Sequence, residues 1–291
     1  MDLLWSLLAA PFADYGFMRR ALVACLALAV GCGPIGVFLI LRRMSLVGDA
    51  MSHAVLPGAA IAFLLFGFSL PAMTVGGFVV GLAVALLAGS VTRLTPQRED
   101  TSFAALFLVS LALGVMLVSA AGTSVDLMHV LFGAILAVDD PALVLVAAIA
   151  SISLMVLAAI YRGLVIECVD PGFLRAVQGG GARYHFLFLV LVVLNLVAGF
   201  QSLGTLMAVG LMMLPAASAR FWTMEIGRMI LFSTGVAFAC GYVGLLVSYH
   251  LSLPSGPAVI LTAGAVYVLS VLLGPHGGLL TARLRSRHYQ R

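Results

Sequence analysis

Asp49 and His53 stand four residues apart in Gly48-Asp49-Ala50-Met51-Ser52-His53, at the head of an apolar stretch. On a helix that spacing is just over one turn, so a carboxylate and an imidazole would project from one face. Polar groups this close to hydrocarbon are costly and are usually kept for a pathway, a pair or an ion. Carboxylate oxygen with imidazole nitrogen is a ligand set for divalent metals such as zinc or manganese. The plainer account makes Asp49 a helix N-cap or a partner of Arg42 or Arg43, and His53 an interior histidine. Asp126 and His129, three residues apart in a polar stretch, could form a way-station for the cation or a solvated loop. His250 could line a vestibule or rest at the interface, whereas His185, His276 and His288 read as solvated.

The segments that must position these groups are apolar. Of 291 residues, 63% are hydrophobic and 9% charged, against about 25% charged in a soluble domain. Spans of roughly 20 apolar residues recur along the chain, which predicts an all-α integral membrane protein rather than a barrel. The spans fall near 20–41, 49–68, 71–94, 102–121, 142–161, 184–200, 203–219, 229–250 and 256–273. That makes nine, or eight if the sixth and seventh are not separated. Residues 1–16 read as an interfacial N-terminal segment with Trp5 at headgroup level, and without the basic start of a cleaved signal peptide.

All fifteen basic residues are arginines. Without lysine the chain cannot form the GxxxxGK[ST] phosphate loop, so any ATP drive must come from another subunit. The net charge of +4 reflects loop and tail arginines and gives no support to nucleic-acid binding. Arg42, Arg43, Arg93, Arg98, the 162–183 loop, Arg220, Arg228 and the 275–291 tail are mutually consistent as cytoplasmic. Nine spans then put the N-terminus outside; Arg19 and Arg20 violate the rule. The tail, around His288, can also touch lipid headgroups.

Pro34, Pro57 and Pro215 are expected to bend or break their helices. In the 162–183 loop, Asp170 suits an N-cap, Pro171 a first helical turn and Gly179 a stop. The expected short helix is a docking element for a partner, with Glu167, Asp170 and Arg175 as its contact or as solvated surface.

The run Arg42-Arg43-Met44-Ser45-Leu46-Val47-Gly48-Asp49-Ala50-Met51-Ser52-His53-Ala54-Val55-Leu56-Pro57-Gly58 resembles the signature of the bacterial ABC-3 family of metal permeases. The likeness continues at Val125-Asp126-Leu127, Leu131-Phe132-Gly133, Asp170-Pro171-Gly172-Phe173, Gln201-Ser202-Leu203-Gly204-Thr205, Leu214-Pro215-Ala216-Ala217-Ser218 and Leu253-Pro254-Ser255-Gly256-Pro257. It covers nearly the whole chain, in family order. Ala134 stands where the family often has Asn, and Gly172 where it often has an acid.

The resemblance implies one transmembrane permease domain over residues 1–291, of type II ABC importer architecture, in the bacterial inner membrane. It implies as partners a second copy of the chain, a cytoplasmic ATP-binding subunit and an extracytoplasmic (periplasmic) metal-binding protein. It makes Asp49 and His53 the metal-coordinating residues of the pathway, and Asp170, Pro171, Phe173 and Arg175 the contact with the ATPase. No permanent cofactor is expected, only a transported divalent cation. Zinc is the first reading, because nothing beyond Asp126 adds the oxygen-rich shell manganese prefers; manganese or iron is the alternative. The rival classes are a secondary transporter or channel, which would work without an ATPase, and an intramembrane enzyme. The chain carries neither HExxH nor GxSxG, the motifs of the enzyme class.

Overall fold

Apolar stretches long enough to cross a bilayer have to close their backbone hydrogen bonds within themselves, and the described elements are all helices. The computed structural model describes residues 5, 7–67, 69–120, 138–169 and 181–281. Among them are a short α1 (Ala10–Asp14), α2 (Gly16–Leu41), α3 (Ser45–Ala54), α4 (Leu56–Phe66), α5 (Leu70–Leu94) and α6 (Glu99–Ala120). Then follow α7 (Asp140–Val169), α8 (Gly181–Leu203), α9 (Thr205–Trp222), α10 (Ile226–Leu251) and α11 (Ser255–Leu273). With α3 and α4 as one broken span, the described residues hold nine segments long and apolar enough to cross a membrane.

Helix α2 is the hub. It packs against α7, α8, α9 and α10, while α9, α10 and α11 pack on one another. The broken span leans on α5 and α6, and α3 also touches α8 and α9. Small residues permit these approaches, as expected where lipid supplies no hydrophobic drive between helices. A side chain at Gly58 of α4 would strike the Gly76 carbonyl of α5, and one at Gly76 would strike that of Gly58. Buried Asn195 of α8 donates to Ser153 Oγ of α7 (2.6 Å) and to the Leu191 carbonyl (2.9 Å), a polar tie inside the apolar core.

Of the three prolines, only Pro57 coincides with a break: α3 stops at Ala54 and α4 starts at Leu56. Pro57 cannot donate to the preceding turn. Ser110 of α6 donates to the carbonyl of Ala54, the last residue of α3, at 3.0 Å, meeting one of the acceptors a helix end leaves open. Pro34 and Pro215 lie inside continuous helices, so of the expected bend or break neither gives a break. The fifth span also differs from its sequence boundary at residue 161, since α7 runs on to Val169.

The N-terminal segment lies against α10. Tyr242 donates to the Leu8 carbonyl (2.9 Å), and His250 Nε2–H to that of Leu7 (3.0 Å). His250 is therefore tied to Leu7. Arg20, which broke the charge rule, pairs with Asp140 at 3.2 Å, so part of its positive charge is offset at that end of the bundle.

Candidate metal pathway

Helix α3 turns Val47, Gly48, Ala50, Met51, Ser52 and Ala54 into the protein. Asp49 projects from the opposite side, with its side chain 66% exposed. Gly48 lets α3 sit against α9, where a Cβ would meet Met213 Cε at 2.7 Å. His53 lies one turn on, 27% exposed, its ring 5.8 Å from that of Phe107 on α6. Asp49 Oδ1 and His53 Nε2 are 3.9 Å apart, beyond hydrogen-bond range. Two donors on one cation at about 2.0–2.2 Å from it lie roughly 3–3.5 Å apart. A small rotamer adjustment of either side chain would bring this pair to that spacing. No group of three or more His, Cys, Asp or Glu side chains suited to a metal occurs among the described residues.

A second ionisable grouping lies where α2, α5, α7 and α8 meet. Arg93 Nη2 donates to Glu167 Oε1 at 2.9 Å, and Arg42 Nη2 lies 3.7 Å from the same oxygen. Arg42 also donates to His185 Nδ1. A guanidinium has no acceptor, so Nδ1 accepts and the imidazole proton sits on Nε2. Each guanidinium rests on an aromatic face: Arg42 on Phe188 at 5.4 Å and Arg93 on Phe186 at 5.6 Å. The side chain of Glu167 is 6% exposed and that of Arg42 8%, and His185 as a whole is 1% exposed.

A profile of the ABC 3 transport family matches residues 14–274. The chain belongs to that family. It is 32% identical over 272 residues to the manganese import system permease protein ScaB of Streptococcus gordonii, covering 94% of this chain and 96% of that one. It is 34% identical over 271 residues to the manganese transport system membrane protein MntC of Listeria innocua, covering 93% and 95%. The solved structure of PsaBC from Streptococcus pneumoniae in complex with a Fab is similar at a TM-score of 0.80 and 31% identity, covering 94% of this chain and 97% of that one. The architecture is thus that of an ABC-transporter permease, and the chain is a multi-pass protein of the bacterial inner membrane.

In this ABC 3 family member the sequence-predicted residues fare unequally. Asp49 and His53 lie side by side on α3. Asp126 and His129 lie outside the described residues, as do Asp170, Pro171, Phe173 and Arg175. Asp49 is not the partner of Arg42, whose guanidinium is turned to Glu167 and His185. Two expectations need correction. His185 is buried rather than solvated, and Glu167 is an internal ion-pair partner rather than loop surface. A signal existed in Leu164-Val165-Ile166-Glu167-Cys168-Val169, where a lone acid interrupts an apolar run. An acid so placed calls for a buried cation.

Proposed function

We propose that this chain is the membrane permease of an ATP-driven divalent-metal importer, moving manganese through a homodimeric pathway at Asp49 and His53. The observation that carries the reading is the half-finished site on α3. A carboxylate on a spanning segment, exposed at 66% of its side-chain surface, is unfavourable against hydrocarbon. A second copy facing it would cover that surface and bring two carboxylates and two imidazoles together. Each carboxylate can offer two oxygens, so up to six donors are within the chemistry of the pair, enough for the oxygen-rich, near-octahedral shell that suits manganese. The ion-to-ligand hold must stay loose enough for release, which fits a pair held apart rather than a closed cage.

The names of the relatives ScaB and MntC speak of manganese. Together with the six-donor argument they favour manganese over the zinc drawn from the sequence alone. Iron, with a similar taste for mixed oxygen and nitrogen ligands, is the second reading. Family membership also supports a cytoplasmic ATP-binding subunit as the energy source and an extracytoplasmic metal-binding protein as the donor of the ion. Residues 170–180, with Asp170, Pro171, Phe173 and Arg175, are the proposed contact with that ATP-binding subunit. The whole chain acts as one permease domain.

The test is uptake into proteoliposomes holding this chain and its ATP-binding subunit, with the metal-loaded binding protein outside and ATP inside. Manganese should accumulate only when both partners and ATP are present, and zinc should compete poorly. Accumulation without the ATP-binding subunit would make the chain a secondary carrier. Preferential accumulation of zinc would overturn the choice of metal.

A further inference from the structure

The buried grouping of Arg42, Arg93, Glu167 and His185 is not part of the proposed ion path, yet it joins the elements that a drive from the ATPase side would have to move. Glu167 lies two residues before the end of α7, and His185 four residues after the start of α8. Residues 170–180 therefore leave from one member of the grouping and return to the other. Arg42 caps the C-terminus of α2. Only Arg42, Arg43 and Met44 separate α2 from α3, the helix that carries Asp49 and His53. Arg43 sits at φ 58°, a left-handed conformation that a non-glycine residue adopts infrequently. The turn from Arg42 into α3 is thus a defined one, and a fixed guanidinium at Arg42 fixes where α3 begins.

We propose that Arg42, Arg93, Glu167 and His185 are positioning residues that link the ends of α7 and α8 to the start of α3, so that displacement at residues 170–180 is delivered to the Asp49–His53 pair. The grouping has the properties such a link requires. One oxygen, Glu167 Oε1, is shared by guanidinium groups from two different helices, at 2.9 Å from Arg93 and 3.7 Å from Arg42. His185 on α8 adds a fourth element through its bond from Arg42. On the α5 side the imidazole is closely backed, since a Cβ on Gly89 would lie 3.0 Å from His185 Nε2. Apolar side chains can slide past one another at little cost. Charges buried this deeply must move together or exchange partners in one step, because a charge separated from its partner is strongly unfavourable there. That gives discrete arrangements, which is what switching between two states of access needs. A buried ion pair is weak grounds for stability, since well-packed apolar groups often do as well. Its use here is positional.

The inference rests on the permease reading for what is transported, but its signature is the ratio of ions moved to ATP hydrolysed. The experiment measures both in proteoliposomes holding the full complex, for wild type, Glu167→Gln and the all-apolar triple variant R42M/R93M/E167L. The triple variant removes the three charged members of the grouping together and is the second variant if Glu167→Gln fails to assemble. Asp49→Ala is run beside them. Expected is continued ATP hydrolysis in each assembled variant of the grouping, with ions moved per ATP lower by about tenfold. Glu167→Asp, which keeps the charge, should recover part of that loss. A wild-type ratio in either variant of the grouping overturns the proposal. Failure of both to assemble with the ATP-binding subunit also overturns it, by making the grouping a folding element. Undiminished uptake by Asp49→Ala would count instead against the ion-path reading and leave the ratio test standing.

Discussion

Two groups of ionisable side chains are built in opposite ways. Asp49 and His53 share one helix, lie 3.9 Å apart and leave the aspartate side chain 66% exposed. Arg42 at the C-terminal cap of α2 meets Arg93, Glu167 and His185 from three further helices, with Arg93 to Glu167 at 2.9 Å and the glutamate side chain 6% exposed. A site that takes up and releases an ion must leave donors uncommitted, so its own pair contributes little to the fold. A grouping that transmits position must hold its members firmly, and low exposure makes each contact costly to lose. On the proposed reading, exposure with spare donors would mark the path and burial with shared donors the link.

This contrast can be broken by mutation. The largest stability effect is expected from Glu167→Leu, which leaves two guanidinium groups without their carboxylate. The loss should be about 3–5 kcal/mol, read as a fall in the thermal unfolding midpoint of the detergent-solubilised protein. R42M/R93M/E167L should recover most of it. If Glu167→Leu is as stable as wild type, the grouping is not the tight element described here. Next comes Gly58→Leu, which drives a side chain into the Gly76 carbonyl of α5 and should cost about 1–3 kcal/mol through overpacking. Gly58→Ala on the same melting curve should be milder. Ser110→Ala removes the donor to the Ala54 carbonyl and should cost about 1 kcal/mol, with local exchange of the α3–α4 junction amides as a second readout. Smallest is Asp49→Ala, at no more than about 0.5 kcal/mol for so exposed a group. A shift as large as that of Glu167→Leu would erase the distinction between path and link.

Much of the molecule was legible in the sequence because membrane burial writes itself in hydropathy. The nine spans among the described residues and the shared face of Asp49 and His53 follow from apolar runs and helical spacing, whereas the break between α8 and α9 falls at Gly204, after Leu203 rather than before it. Other features depend on long-range pairing, to which hydropathy is blind. Placing the end of the fifth span at residue 161 put Glu167 in a loop, while α7 carries it to a buried position opposite Arg93. Placing His185 at a loop edge made it look solvated, although Arg42, Phe186 and Gly89 enclose it. Arg20 looked like a topology error until Asp140, distant in sequence, appeared beside it. Proline alone did not predict a break: Pro57 marks one, while Pro34 and Pro215 are held within packed helices. Sequence chemistry likewise leaned to zinc, because nothing beyond Asp126 added the oxygen-rich shell manganese prefers.

The most direct test of the central claim is ATP-driven manganese uptake by the reconstituted complex, with Asp49→Ala and His53→Ala each compared with wild type and assembly with the ATP-binding subunit checked in parallel. The account predicts intact assembly in both variants, with uptake reduced to the level seen without ATP. Wild-type uptake in either one would contradict it and return Asp49 and His53 to a purely structural role on α3.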